Sequence, residues 1–147
     1  GSPSNPETCT AKITIAKNPV IRGSAYSGML MNGSGRPLDL DSHAPTLTAS
    51  MGGNRTPIVD QRALDNPESE NWCVSLYKDI VSPAKTKPES VPNYVRRLTI
   101  SEAAAIQTFP ADYAFIGSKC SQYRQVGNAV PPVFAHVVAK TIKRCLD

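Results

Sequence analysis

The chain has 147 residues and a mass of 15.8 kDa, room for one domain or for one domain with an appendage. It is 40% hydrophobic and 19% charged, a globular composition, while 13 prolines and 6% aromatic residues point to a loop-rich fold. Sixteen basic residues against twelve acidic ones give +4, which permits a polyanionic partner without requiring one. No apolar run approaches the roughly 20 residues that cross a bilayer. The opening Gly1-Ser2-Pro3-Ser4-Asn5-Pro6 shows neither a basic nor an apolar targeting region, and Gly1-Ser2 reads as a cloning remnant. Cys9, Cys73, Cys120 and Cys145 lack CxxC spacing, so neither a metal site nor a disulfide framework is expected. The expectation is a soluble, cytoplasmic chain.

In chain order, Lys12-Ile13-Thr14-Ile15 alternates polar and apolar residues as a short strand does. Glycines at 28, 33 and 35, with Arg36-Pro37, break the next stretch into loops. Thr46-Leu47-Thr48-Ala49 and Thr56-Pro57-Ile58-Val59 flank Gly52-Gly53-Asn54 and predict a hairpin. Charge is uneven: residues 1–59 carry five basic and three acidic residues, 60–90 four and six, and 91–147 seven and three. The middle stretch holds Asp65-Asn66-Pro67-Glu68 and Ser82-Pro83-Ala84-Lys85-Thr86-Lys87-Pro88, turn composition that reads as a linker.

The C-terminal part is more legible. Thr99 is placed as an N-cap with Glu102 three residues on, a capping box, and Ala103-Ala104-Ala105-Ile106-Gln107 propagates a helix that Phe109-Pro110 stops. A second helix opens near Pro131-Pro132. Its Phe134, Val137, Val138, Thr141, Ile142 and Cys145 share one face, and Lys140, Lys143 and Arg144 suit the negative end of its dipole. Between the helices, Gly127-Asn128 reads as a turn ahead of a helix N-terminus, where free amides and an asparagine can meet a polar ligand. An ordinary capped loop is the plainer reading of the same residues.

Two blocks carry a family resemblance. Arg96-Arg97-Leu98-Thr99-Ile100-Ser101-Glu102, continued by Ile106-Gln107-Thr108-Phe109-Pro110, resembles the ninth motif of DNA cytosine-5 methyltransferases. Gln125-Val126-Gly127-Asn128-Ala129-Val130-Pro131-Pro132 resembles the tenth, and the order and separation of the blocks also fit. Upstream, Pro45-Thr46-Leu47-Thr48-Ala49-Ser50-Met51-Gly52-Gly53-Asn54 is similar to the Thr-Leu and glycine-rich stretch of that family's target recognition domain.

The resemblance implies an α+β fold: a small, loop-rich β recognition domain with a short capped helix, and a C-terminal helix that in the family packs onto a Rossmann-like catalytic domain. It divides the chain into an unassigned segment (1–19), a target recognition region (20–90) and a two-motif region (91–147). It implies double-stranded DNA as partner and S-adenosylmethionine as cofactor, in a restriction–modification setting at the bacterial nucleoid. Thr46 and Leu47 match the Thr-Leu that contacts DNA around the flipped nucleotide, and Arg36, Asn54 and Arg55 are further DNA candidates among glycines. Asn128 and Ala129 match positions that touch the methyl donor. Arg96, Arg97, Thr99, Glu102, Gln107 and Gly127 are expected to organise the fold rather than to react.

The family's Pro-Cys nucleophile does not occur in this sequence. A thiolate is the right nucleophile because it attacks readily and can be expelled afterwards. The Glu-Asn-Val that assists at the flipped base and the Phe-x-Gly-x-Gly cofactor loop are absent too, and Glu70-Asn71-Trp72 only imitates the former, in the linker. The chain alone is therefore expected to be inactive and to need a catalytic domain or a large subunit. Excised piece and natural small subunit both stay open. The last helix, without its partner, is expected to self-associate. The rival readings are a stand-alone DNA-binding regulator, against which no recognition helix rich in Arg, Asn and Gln is seen, and a non-catalytic scaffold.

Overall fold

A computed structural model describes residues 9, 11–84 and 87–146. Its centre is a two-stranded antiparallel ribbon, β1 (Ile58–Asp60) and β2 (Val95–Arg97), in the register Ile58↔Arg97, Val59↔Arg96, Asp60↔Val95. Successive strand residues face opposite sides. Val59 accordingly joins one core cluster, with Leu38, Leu47, Met51, Leu98, Ala103, Tyr123 and Val126, and Ile58 a second, with Leu30, Met31, Cys73, Leu76 and Val95. The architecture is α+β, with helices behind both faces of a very small sheet.

The predicted hairpin does not form. The ribbon partner of Ile58–Asp60 comes from Val95–Arg97, while Pro37 lies along its other edge, with Ile58 N–H donating to the Arg36 carbonyl at 2.9 Å. Thr46–Ala49 is not a strand, because its backbone is engaged elsewhere: the Thr48 carbonyl accepts from Met51 N at 3.1 Å and lies against Gly127. The strand expected at Lys12–Ile15 reduces to one bridge, Ile15↔Met31. There the Asn32 side chain extends the backbone bonds around the bridge, accepting from Thr14 N at 2.7 Å and donating to the Lys12 carbonyl at 2.9 Å.

The expected linker holds two helices, α1 (Gln61–Asp65) and α2 (Trp72–Val81). The expected turns are there, Ser69 N donating to the Asn66 carbonyl at 2.9 Å between the helices, but other polar residues act as helix caps. The buried Asp60 carboxylate accepts from Arg62 N at 2.9 Å and Ala63 N at 3.4 Å to start α1, and from Trp72 N at 2.8 Å where α2 begins. Asn71 caps α2 by accepting from Cys73 N at 2.9 Å, and Cys73, Leu76 and Ile80 form the buried face, with burial pushing the Cys73 thiol up to about 12. Lys85 and Thr86 lie outside the described residues.

Three further helices complete the chain: α3 (Ile100–Ile106), α4 (Lys119–Asn128) and α5 (Pro132–Leu146). The capping box of α3 is present, and Thr108 at φ 63° turns the chain out of the helix. The Gly127-Asn128 turn is not: both residues belong to α4. No residue of α5 among those described is buried, and none of the described helices is long and apolar enough to cross a membrane.

Candidate nucleic-acid interface

Arg36, Thr46 and Arg55, far apart in sequence, line one cleft of about 330 Å³ together with Ser34, Thr48 and Pro57. Each is carried by a fixed piece of backbone. Arg36 lies beside β1 through the bond its carbonyl accepts from Ile58. Arg55 rides on the turn closed by Thr56 N donating to the Gly53 carbonyl at 3.0 Å, and the buried Thr56 hydroxyl accepts from Gly52 N at 2.9 Å. The Arg55 guanidinium donates to the Ser50 hydroxyl at 3.1 Å and is otherwise exposed. Thr46 is exposed, whereas Leu47 is turned into the core, 5% exposed, and anchors the segment. Asn54 is exposed on the same turn as Arg55, with its side-chain oxygen accepting from the Asn32 amide at 3.2 Å. No carboxylate lines this cleft among the described residues.

Behind the cleft stands Arg97. Its guanidinium is buried and donates to the carbonyls of Thr56 at 2.7 Å, Asn54 at 3.3 Å and Asn32 at 3.3 Å, tying two loops to β2. Gly35 is required there, since a Cβ would stand 2.5 Å from the guanidinium and 2.3 Å from the Thr56 carbonyl oxygen. Arg96, one residue earlier on the opposite face, makes a two-pronged pair with Glu102 at 2.7 and 2.9 Å and donates to the Gln61 side chain at 2.6 Å. Burial alone pushes the Glu102 carboxyl up, but the bonds from Arg96 and from the Thr99 backbone outweigh it and hold the group at about 2. Arg97 lies in the first motif block, but its carbonyl partners and the Gln61 partner of Arg96 carry no local sequence signal, because these contacts lie tens of residues apart.

The second block docks onto the first. Tyr123 of α4 donates its buried hydroxyl to the Leu98 carbonyl at 2.5 Å, and Gln107 donates to the Val126 carbonyl at 3.2 Å. A Cβ on Gly127 would stand 2.3 Å from the Thr48 carbonyl oxygen, so this glycine lets α4 lie against the segment that carries Thr46. Asn128 therefore ends one helix rather than opening another. It is exposed, and its side chain makes no hydrogen bond among the described residues, which leaves both a donor and an acceptor available. Ala129 follows as the C-cap. α4 is also a polar helix in a place where none was expected, but its glutamines are engaged: Gln122 donates to the Gly117 carbonyl at 3.0 Å and Gln125 to the Ile116 carbonyl at 2.8 Å.

Residues 8–144 match the family described as C-5 cytosine-specific DNA methylase. The chain belongs to that family. Among its relatives, the Type II methyltransferase M.AgeI of Thalassovita gelatinovora is 32% identical over 129 residues, covering 78% of this chain and 30% of that protein. The Type II methyltransferase M.Eco47II of Escherichia coli is 31% identical over 112 residues, 76% of this chain and 25% of the other. The Type II methyltransferase M.AquIB of Picosynechococcus sp. is 36% identical over 97 residues, covering 58% of this chain and 63% of that one. The chain thus spans less than a third of the first two methyltransferases and about two-thirds of the third. No solved structure matches it significantly. The Glu70-Asn71-Trp72 imitation of a C-5 methylase motif is structural: Glu70 binds Ser75 and Lys78, and Asn71 is a helix cap.

Proposed function

We propose that this chain is the DNA-reading, C-terminal portion of a DNA (cytosine-5-)-methyltransferase of a restriction–modification system, acting with a catalytic part that carries the cysteine nucleophile. The observation that carries the reading is the carboxylate-free cleft that gathers Arg36, Thr46 and Arg55 on backbone fixed by Arg97. Guanidinium groups on rigid backbone suit the oxygens of phosphates and the O6/N7 edge of guanine in the major groove. Leu47 acts from inside the core, holding the register of Thr46. Contacts of this kind offset the few kcal/mol spent when the target base leaves the stack.

S-adenosylmethionine, bound mainly by the catalytic part, supplies the methyl group for carbon 5 of cytosine. The available amide of Asn128, with Ala129 beside it, fits the edge of such a site, and α5 offers the apolar face through which the two parts join. The engaged glutamines of α4 argue against a groove-reading helix and hence against the stand-alone regulator. Excised piece and separate small subunit are distinguished by the reading frame immediately upstream of this sequence.

The test is reconstitution. The isolated chain is expected to transfer no methyl group, and a mixture with its catalytic part to methylate duplex DNA. In that mixture Arg36→Ala and Arg55→Ala each reduce kcat/KM for DNA by about 10-fold or more. Methyl transfer by the isolated chain, or full activity of both variants, refutes the assignment.

A further inference from the structure

We propose that the loop from Val20 to Met29 is a second reading element for the same duplex, with Arg22 and Met29 as specificity-determining residues; this rests on the DNA-reading assignment above. The cleft of Arg36, Thr46 and Arg55 does not end at Arg36. A second cleft, of about 190 Å³, shares Ser34 and Arg36 with it and is lined further by Arg22, Ser27, Gly28 and Met29. The two form one continuous surface carrying three arginines, with no carboxylate among the described lining residues. By contrast, the cleft of about 420 Å³ beside α1 is lined by Asp41, Glu68 and Glu70 and would repel a phosphate backbone.

The loop is built to hold its shape. Val20 N–H donates to the Met29 carbonyl at 2.8 Å and closes it, and the Ser27 backbone and hydroxyl both donate to the Ser24 carbonyl, at 3.2 and 3.0 Å. Gly28 is buried, and a Cβ there would stand 2.3 Å from the Val20 carbonyl oxygen, so the closure tolerates only glycine. Ala25, 4% exposed, plugs the loop into the second core, and Tyr77 of α2 donates its hydroxyl to the Arg22 carbonyl. The backbone of Arg22 is thereby fixed while its side chain stays exposed.

Met29 is the apolar counterpart. Its neighbours Leu30 and Met31 are 1% and 2% exposed, yet Met29 is 43% exposed beside two arginines. Core packing does not account for that placement. Duplex DNA does: a major-groove edge offers both an acceptor pair on guanine for a guanidinium and a thymine methyl for an apolar side chain. A rigid loop presenting one of each reads base identity, whereas a merely cationic surface reads charge.

The experiment uses the complete methyltransferase, this chain together with its catalytic part, on duplexes that carry the recognition sequence and each of its single-base variants. Arg22→Ala and Met29→Ala are expected to change the ranking of these duplexes by kcat/KM. For Arg22→Ala the preference at one base pair falls about 10-fold or more. Arg22→Lys keeps the charge but not the two-pronged geometry, so it should retain affinity at low salt and lose the same preference; it also decides the matter should Arg22→Ala fold poorly. A uniform loss over all duplexes, with a salt slope reduced by about one, makes Arg22 a phosphate contact and overturns the proposal. So does an unchanged ranking in both variants while Arg36→Ala and Arg55→Ala still impair the enzyme. If those two are also without effect, it is the DNA-reading assignment that fails.

Discussion

Arg97 is a buried guanidinium held by carbonyl oxygens, and its Nε has no partner among the described residues. Burial lowers its pKa, though a guanidinium keeps its charge in proteins. Arg97→Leu removes the donors and leaves three carbonyls to find others, so it should cost about 3–5 kcal/mol in urea unfolding. Glu102 behaves differently. Its folded pKa of about 2 lies below the ordinary 4.5, so the stabilisation is in place above pH 4.5 and is lost as pH falls toward 2. Thermal melts over that window should show a decline that Glu102→Gln flattens, the variant itself losing about 1–2 kcal/mol at neutral pH. The two residues also differ in legibility. Thr99 and Glu102 are three positions apart, so their capping box could be read from the sequence. Arg97 reaches Asn32 across 65 positions, and no local pattern encodes that.

At the scale of elements, local rules worked where a helix is stabilised by its own sequence, as for α3 and α5, and failed where tertiary contacts decide. Asn66 and Asn71 look like loop residues, yet they cap α1 and α2, with Pro67 in the turn between; the spacing of Cys73, Leu76 and Ile80 was the available sign of α2. Gly127 misled in the same way. A glycine ordinarily disfavours a helix interior, but here its missing Cβ makes room for the Thr48 backbone, and that contact outweighs the propensity cost of about 1 kcal/mol. Gly127→Ala therefore improves local propensity and should still destabilise the fold, by about 1–3 kcal/mol of overpacking. In the reconstituted enzyme it should also raise KM for DNA, because the displaced segment carries Thr46. A more stable variant would show that α4 and that segment are not in tight contact. The candidate DNA residues were legible as residue types among glycines, whereas their meeting in one cleft was not, because it depends on Pro37 lying along β1.

Taken whole, the described residues form two cores and one helix, α5, that buries no residue in either, although its Val133 N donates to the Thr108 hydroxyl at 3.2 Å. Val133, Phe134, Val137 and Ile142 of α5 are each more than half exposed, at 59%, 61%, 55% and 55%. Such a stripe on a helix without buried residues suits the docking role proposed for it. Sedimentation of the isolated chain should show concentration-dependent association, and Val137→Asp should abolish it. The same variant should weaken assembly with the catalytic part about 10-fold or more, while leaving the melting of the two-core body within a degree or two. A chain that stays monomeric at high concentration would assign that face another purpose.

The reach of Arg97 has a bearing on how the protein is made. During translation the loops at Asn32, Asn54 and Thr56 leave the ribosome well before the guanidinium that fastens them. Until residue 97 emerges, β1 also lacks its ribbon partner, so the proposed DNA-reading face cannot set before that point in synthesis. It locks late, and a nascent chain stalled before Val95 should be digested by protease throughout the region proposed to meet the duplex.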